Sequence, residues 1–163
     1  MPLLSFNEIR SRALEFSREW ADATSEQGEA QTFWNELFHV YGLRRRQVAL
    51  FEKQVDRLGG GRGRIDLFWP GRVIAEHKTR GESLDKAQTQ AFGYAAALAG
   101  QGNGKEAPRY ILVCDFQTLV IHDLEPQGEA PEISIPIANT TDTMLSWIAP
   151  SHELSTFSAV RAG

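Results

Sequence analysis

Apolar residues at Phe6, Ile9, Ala13, Phe16 and Trp20 recur every three or four positions and predict a first helix ending near Asp22. Ser5 precedes them with Glu8 three residues on, the pairing that caps a helix start reciprocally. After a polar loop at 23–28 the spacing returns at Phe33, Trp34, Leu37, Phe38 and Tyr41. A second helix is expected from about Glu29 to Tyr41, closed by Gly42. Alternating apolar and polar residues over 46–55 predict a strand. The glycine-rich segment 59–63 reads as a hairpin tip, and two more strands follow on either side of Pro70-Gly71. Leu84, Ala87, Ala91, Tyr94, Ala95 and Leu98 mark a long helix over 81–100, with Ser83 at its N-cap. Strands are expected at 110–114 and 119–123, joined by a turn that Asp115 fixes, and an edge strand near 133–137. A short helix near 141–149, and another after Ser151, complete the pattern. The order predicts an α/β fold, with a mainly antiparallel trio of strands, a crossover helix and a further strand.

Polar residues interrupt two of the apolar runs. Asp66 breaks the first strand beside Pro70-Gly71; Glu76 and Lys78 break the second. A carboxylate in a buried strand costs several kcal/mol unless a partner compensates it. Glu76 and Lys78 alternate onto one face. Asp66 joins them if it pairs opposite Glu76, which leaves Pro70, Gly71 and Arg72 as a three-residue loop. A two-residue Pro-Gly loop would put the acids on opposite faces. The longer loop fits the apolar pattern better, because Leu67, Trp69, Val73 and Ala75 then share one buried face. Two carboxylates and a lysine converging in this way suit a divalent cation and a metal-dependent hydrolytic site.

At 163 residues and 42% apolar content the chain fits one globular domain. No apolar run approaches membrane-span length, and the first twenty residues carry no signal-peptide pattern. The single cysteine, Cys114, excludes a disulfide framework and a Cys-based zinc site; it reads as a buried thiol of a cytoplasmic protein. The net charge of −4 is unevenly spread: residues 44–80 hold ten Lys and Arg against four acids, a net +6. A basic segment around the candidate site suits a phosphate-backbone substrate. The glycine-rich loop lacks the Gly-Lys-Ser/Thr ending of a nucleotide-binding P-loop. His77 alternates away from Glu76 and Lys78, so its side chain reads as structural; His39, His122 and His152 stand isolated.

The element order and Asp66-x9-Glu76-His77-Lys78 together resemble the PD-(D/E)XK nuclease superfamily. Gln90-Ala-Phe-Gly-Tyr94 is similar to the Gln-x-x-x-Tyr motif of its RecB-like members. More closely, Glu29-Ala-Gln-Thr-Phe-Trp34, Ile65-Asp-Leu-Phe-Trp-Pro-Gly71, Glu76-His-Lys78 and Tyr110-Ile-Leu-Val-Cys-Asp115 resemble the N-terminal nuclease domain of MmeI-like type IIL restriction-modification enzymes. Ile65 stands where the superfamily often has proline. The resemblance implies a restriction-endonuclease-like α-β-β-β-α-β core with an extra N-terminal helix. It implies a nuclease domain over 1–150, with 151–163 starting a connector or tail.

The activity implied is Mg²⁺-dependent cleavage of double-stranded DNA, with Mn²⁺ as a substitute ion. Asp66, Glu76 and the backbone carbonyl of His77 would hold the ion. Lys78 and Gln90 complete the catalytic set, and Glu29 is an expected accessory acid for a second ion. Arg62, Arg64, Arg80, Ser83 and Tyr94 are expected DNA contacts. The products implied are 5′-phosphate and 3′-hydroxyl ends. Methyltransferase and target-recognition domains would belong to a longer parent, as would S-adenosylmethionine (SAM), and double-strand cleavage would call for a transient dimer. Two rival readings are a stand-alone RecB-like repair exonuclease and a catalytically inactive DNA-binding module.

Overall fold

The structure, a computed structural model, describes residues 4–102, 104–125 and 132–137. Helix α1 (Phe6–Glu19) starts at the expected capping box: the Glu8 backbone N–H donates to Ser5 Oγ at 3.3 Å, and the Ser5 N–H returns the bond to Glu8 Oε2 at 2.7 Å. Helix α2 (Glu26–Val40) begins a turn earlier than its apolar spacing suggests, because Ser25 takes the N-cap position. A short helix α3 (Arg45–Val48) replaces the start of the strand expected from residue 46. Arg45 holds that turn together: Nη1 donates to the Ala49 carbonyl, Nε donates to Asn35 Oδ1, and the guanidinium lies 4.0 Å from the Phe51 ring centroid.

Three strands follow: β1 (Leu50–Asp56), β2 (Arg62–Trp69) and β3 (Val73–His77). Helix α4 (Leu84–Gly100) then crosses to β4 (Tyr110–Cys114), β5 (Thr118–Asp123) and β6 (Glu132–Pro136). All six strands form one sheet in chain order, antiparallel except for the parallel β3–β4 pair that α4 connects. The expected helices near 141–149 and after Ser151, and the expected boundary at residue 150, lie outside the described residues.

Each face of the sheet has its own apolar layer. On one side α1 and α2 bury Phe16, Trp20, Phe33 and Trp34 against Leu67, Trp69, Val73 and Ala75. On the other, α4 packs Ala87, Ala91 and Leu98 against Phe68, Ile74 and Ile111. Fully buried alanines at 87 and 91 bring α4 close to the strands. Asp115 fixes the β4–β5 turn as expected, its Oδ1 accepting from the backbone N–H groups of Gln117 and Thr118. Cys114 is a buried free thiol.

The β2–β3 hairpin has the register anticipated from the apolar pattern: Leu67 pairs with Ala75, Phe68 with Ile74 and Trp69 with Val73. The Arg72 N–H donates to the Trp69 carbonyl and closes the three-residue loop. Gly71 has φ +69°, and a Cβ there would stand 2.7 Å from the Lys105 carbonyl oxygen, so the turn needs glycine. The ladder stops after Leu67↔Ala75, and beyond it Glu76 and His77 pair with β4 alone.

Candidate active site

The gap where β2 and β3 part is filled by two carboxylates. Asp66 Oδ2 accepts from the His77 backbone N–H at 2.8 Å, and Glu76 Oε1 accepts weakly from the Asp66 N–H at 3.4 Å. The acids thus satisfy backbone donors that the ladder leaves over, and this brings them side by side. Glu76 is 1% exposed. Burial first, and then the neighbouring Asp66 charge, push its carboxyl up to about 9. Burial also raises Asp66, opposed by its bond from His77 and by the positive charge of Lys78. No Lys or Arg among the described residues forms an ion pair with either acid. Lys78 is half-buried at the end of β3, and its charge acts on both carboxylates.

From α4, Gln90 Nε2 donates to Glu76 Oε2 at 3.3 Å and to Tyr94 Oη at 2.9 Å. Tyr94 Oη also accepts from the Arg64 backbone N–H at 3.3 Å and from Arg57 Nη2 at 3.4 Å. Both side chains come from one helix face, four residues apart, and tie β3 to β2. Gly63 completes the joint: the Tyr94 ring occupies the space a side chain would need, with Oη 2.7 Å from where a Cβ would sit.

The other expected site residues have different surroundings. Glu29 Oε2 accepts from the Ser25 N–H at the start of α2. One turn earlier, Glu26 lies within electrostatic reach of both Lys78 and Asp66. Burial raises its carboxyl, while Lys78 and a hydrogen bond from the Thr79 backbone oppose the rise. Glu26 was expected in the polar loop before α2; the helix start at Ser25 puts it in the first turn together with Glu29. Arg80, expected at DNA, donates from Nε to the Ala23 carbonyl and from Nη2 to that of Ala21, binding the site loop to the end of α1. Tyr94, also expected at DNA, is 2% exposed, and its contacts are with the protein. Arg62 and Arg64 are well exposed and reach Asp56 and Glu52 at 3.8 Å. Ser83 is exposed at the N-cap of α4 without a side-chain capping bond.

His77 points to the opposite layer. It is fully buried among Phe33, Trp34 and Phe116, and neither ring nitrogen has a hydrogen-bond partner. Burial drives its pKa down to about 3, so it is a neutral ring in an aromatic box.

Among the described residues no group of three or more His, Cys, Asp and Glu forms a ready cage. The donor set nevertheless fits a hard divalent cation. Glu76 is buried and Asp66 half-buried beside it, neither in an ion pair with a described Lys or Arg, and burial is the first cause of their raised proton affinity.

An antiparallel strand trio, a crossover helix and a parallel fourth strand, with paired acids where the second and third strands part, define a restriction-endonuclease-like α/β domain. The chain belongs to the family described as MmeI, N-terminal domain, which matches residues 11–156. At coarse grain it is therefore a restriction-enzyme nuclease module. A solved structure titled "cryoEM structure DrdV-DNA complex" is similar at 16% identity and a TM-score of 0.47, covering 83% of this chain and 89% of that one. No curated protein matches the chain.

Proposed function

We propose that this chain is the Mg²⁺-dependent endonuclease module of a restriction-modification enzyme and hydrolyses phosphodiester bonds of double-stranded DNA. The observation that carries this reading is the Asp66–Glu76 pair, Glu76 buried and Asp66 half-buried beside it, neither in an ion pair with a described Lys or Arg and both within the field of Lys78. Asp66, Glu76 and the His77 carbonyl would hold the ion, with Glu26 near enough to act on it through water. A hard divalent ion bound there supplies Lewis-acid stabilisation of phosphorane charge and a lowered pKa for bound water.

The chain's own residues do the rest. Gln90 fixes the Glu76 carboxylate through its amide N–H, and Tyr94 fixes the orientation of that amide. This leaves Gln90 Oε1 as the free acceptor for a water. Lys78 brings an ammonium to the same edge, placed to orient the attacking water and to neutralise charge gathering on the phosphate. The His77 side chain, in its aromatic box, keeps the backbone carrying Glu76 and Lys78 rigid. Arg57, Arg62 and Arg64 present cations along the neighbouring hairpin, suited to the strand backbone on either side of the cleaved bond.

The test combines Mn²⁺-linked thermal unfolding with nicking of covalently closed circular DNA. The wild-type chain gains Tm with Mn²⁺ and nicks the circle, while Asp66→Ala does neither and Lys78→Ala keeps the Tm gain but not the nicking. A wild-type Tm indifferent to Mg²⁺ and Mn²⁺ would overturn the reading and favour a module without catalysis. Cleavage of linear ends with the closed circle left intact would make it an exonuclease.

A further inference from the structure

In an unbroken strand, residues an even number apart share a face. Strand β1 departs from this: Phe51 packs on the α1–α2 side and Val55 on the α4 side. Lys53 is already on the α4 side, its Nζ 5.6 Å from the Phe68 ring centroid. Strand β2 departs at the matching place, since Ile65 and Phe68, three apart, both lie in the α4 layer. The two strands turn over together, and their register is the same on both sides: Phe51 pairs with Leu67, and Lys53 with Ile65. Glu52 and Asp66 face each other at the turnover, and Glu52 is the one position inside β1 without a ladder partner.

Glu52 has φ +56°, the left-handed region that a straight-chain L-residue enters at a steric penalty. Its carboxylate gives little in return. The side chain is 54% exposed, and its ion pair with Arg64, itself 64% exposed, spans 3.8 Å. What the position supplies is a backbone conformation. Alternation carried back from Phe68 would put Asp66 on the α4 face; alternation carried forward from Ile65 would put it on the other. At the turnover it points along the sheet instead, edge-on to β3, where it meets the His77 N–H.

We infer that Glu52 is a positioning residue: its left-handed backbone turns the β1–β2 pair over and aims the Asp66 carboxylate at His77 and into the site. Its functional weight rests on the reading of Asp66 as an ion-holding residue. Glycine and asparagine adopt this conformation readily, alanine less so, and valine is strongly disfavoured.

The experiment is amide hydrogen exchange on the full chain for wild type, Glu52→Gly, Glu52→Asn, Glu52→Ala and Glu52→Val. The internal reference is the Lys78 N–H, which bonds to the Cys114 carbonyl on β4 and does not depend on Asp66. In Glu52→Gly and Glu52→Asn, His77 keeps its protection relative to Lys78. In Glu52→Val the His77 amide exchanges about tenfold faster relative to Lys78, with Glu52→Ala between. If Glu52→Val does not fold, the alanine–glycine comparison reads the same ratio. Equal loss in Glu52→Gly and Glu52→Ala would assign the effect to the side chain and overturn the inference, as would unchanged His77 protection in Glu52→Val or, if that variant does not fold, in Glu52→Ala. The Mn²⁺-linked Tm gain follows the same ranking. If wild type shows no such gain, the ion reading fails while the exchange ratio still tests the hinge.

Discussion

Two neighbouring residues of one strand meet opposite penalties. Glu76 is a buried acid whose folded pKa, about 9, lies above its ordinary 4.5. The native state therefore holds a proton that the unfolded chain releases. The stability this gives is full below about pH 4.5 and is lost as pH rises toward 9. His77 works in reverse: its folded pKa of about 3 lies below 6.5, so stability is lost as pH falls from 6.5 toward 3. The metal-free protein is squeezed from both sides, and Glu76→Gln separates the two. In chelator, Glu76→Gln should be more stable than wild type, by a margin that widens from pH 5 to pH 8 at up to about 1.4 kcal/mol per pH unit. In wild type Mn²⁺ should recover the loss; in Glu76→Gln it should recover little. Denaturant unfolding at the two pH values checks this, and a margin that does not widen with pH would show that Glu76 is ionised without a partner. The acid pair itself was legible in the sequence because a charge in an apolar strand is conspicuous, although the alternation meant to put Asp66 on the face of Glu76 breaks at Asp66 itself. Glu26 was not: the apolar spacing that marks α2 first appears at Phe33, and the residues before Glu29 read as a polar loop.

At the scale of elements, α4 holds the site together. Its Gln90 and Tyr94 bond to β3 and β2 at the place where those strands no longer bond to each other. Gly63 is the counterpart on β2, its missing side chain leaving room for the buried Tyr94 ring. Gly63→Ala should destabilise the protein by about 1–3 kcal/mol through overpacking. Combined with Tyr94→Leu it should cost markedly less than the two single changes added. Additive penalties in a double-mutant cycle would show that the two positions do not meet. The sequence supported the hairpin register, since the three-residue loop puts Leu67, Trp69, Val73 and Ala75 on one face and a two-residue loop would not. It did not reveal the turnover at Glu52 and Asp66. There Glu52, Lys53 and Gln54 are all polar, so the pattern along β1 carries no mark of which face each takes. The short helix α3 was hidden for a related reason: Arg45 and Arg46 read equally well as exposed strand or exposed helix, and the contacts of Arg45 with Asn35, Ala49 and Phe51 decide it.

Across the whole molecule the charge is lopsided. Residues 44–80 carry +6 of a chain whose total is −4, so the remainder is strongly acidic. That segment builds β1, β2 and β3, one end of the sheet, with β1 the edge strand among the described residues. The acidic pair therefore sits in the basic part of the protein, the arrangement a polyanionic substrate requires. On the proposed function, the surrounding cations would draw in the phosphate backbone, and the acids would keep a place for the ion. Duplex DNA should then bind by counterion release, with log K falling linearly against log salt. Removing Arg57 and Arg62 together should lower the slope by about 2 and weaken binding evenly across unrelated sequences. Both arginines are exposed, but Arg57 also bonds Tyr94 Oη, so a small fall in Tm is expected and the slope is read at a temperature where the variant is folded. Binding assays in Ca²⁺ over a salt series measure the slope. A slope unchanged in the double variant would place the nucleic acid elsewhere on the surface and leave the basic hairpin as an ordinary solvated edge.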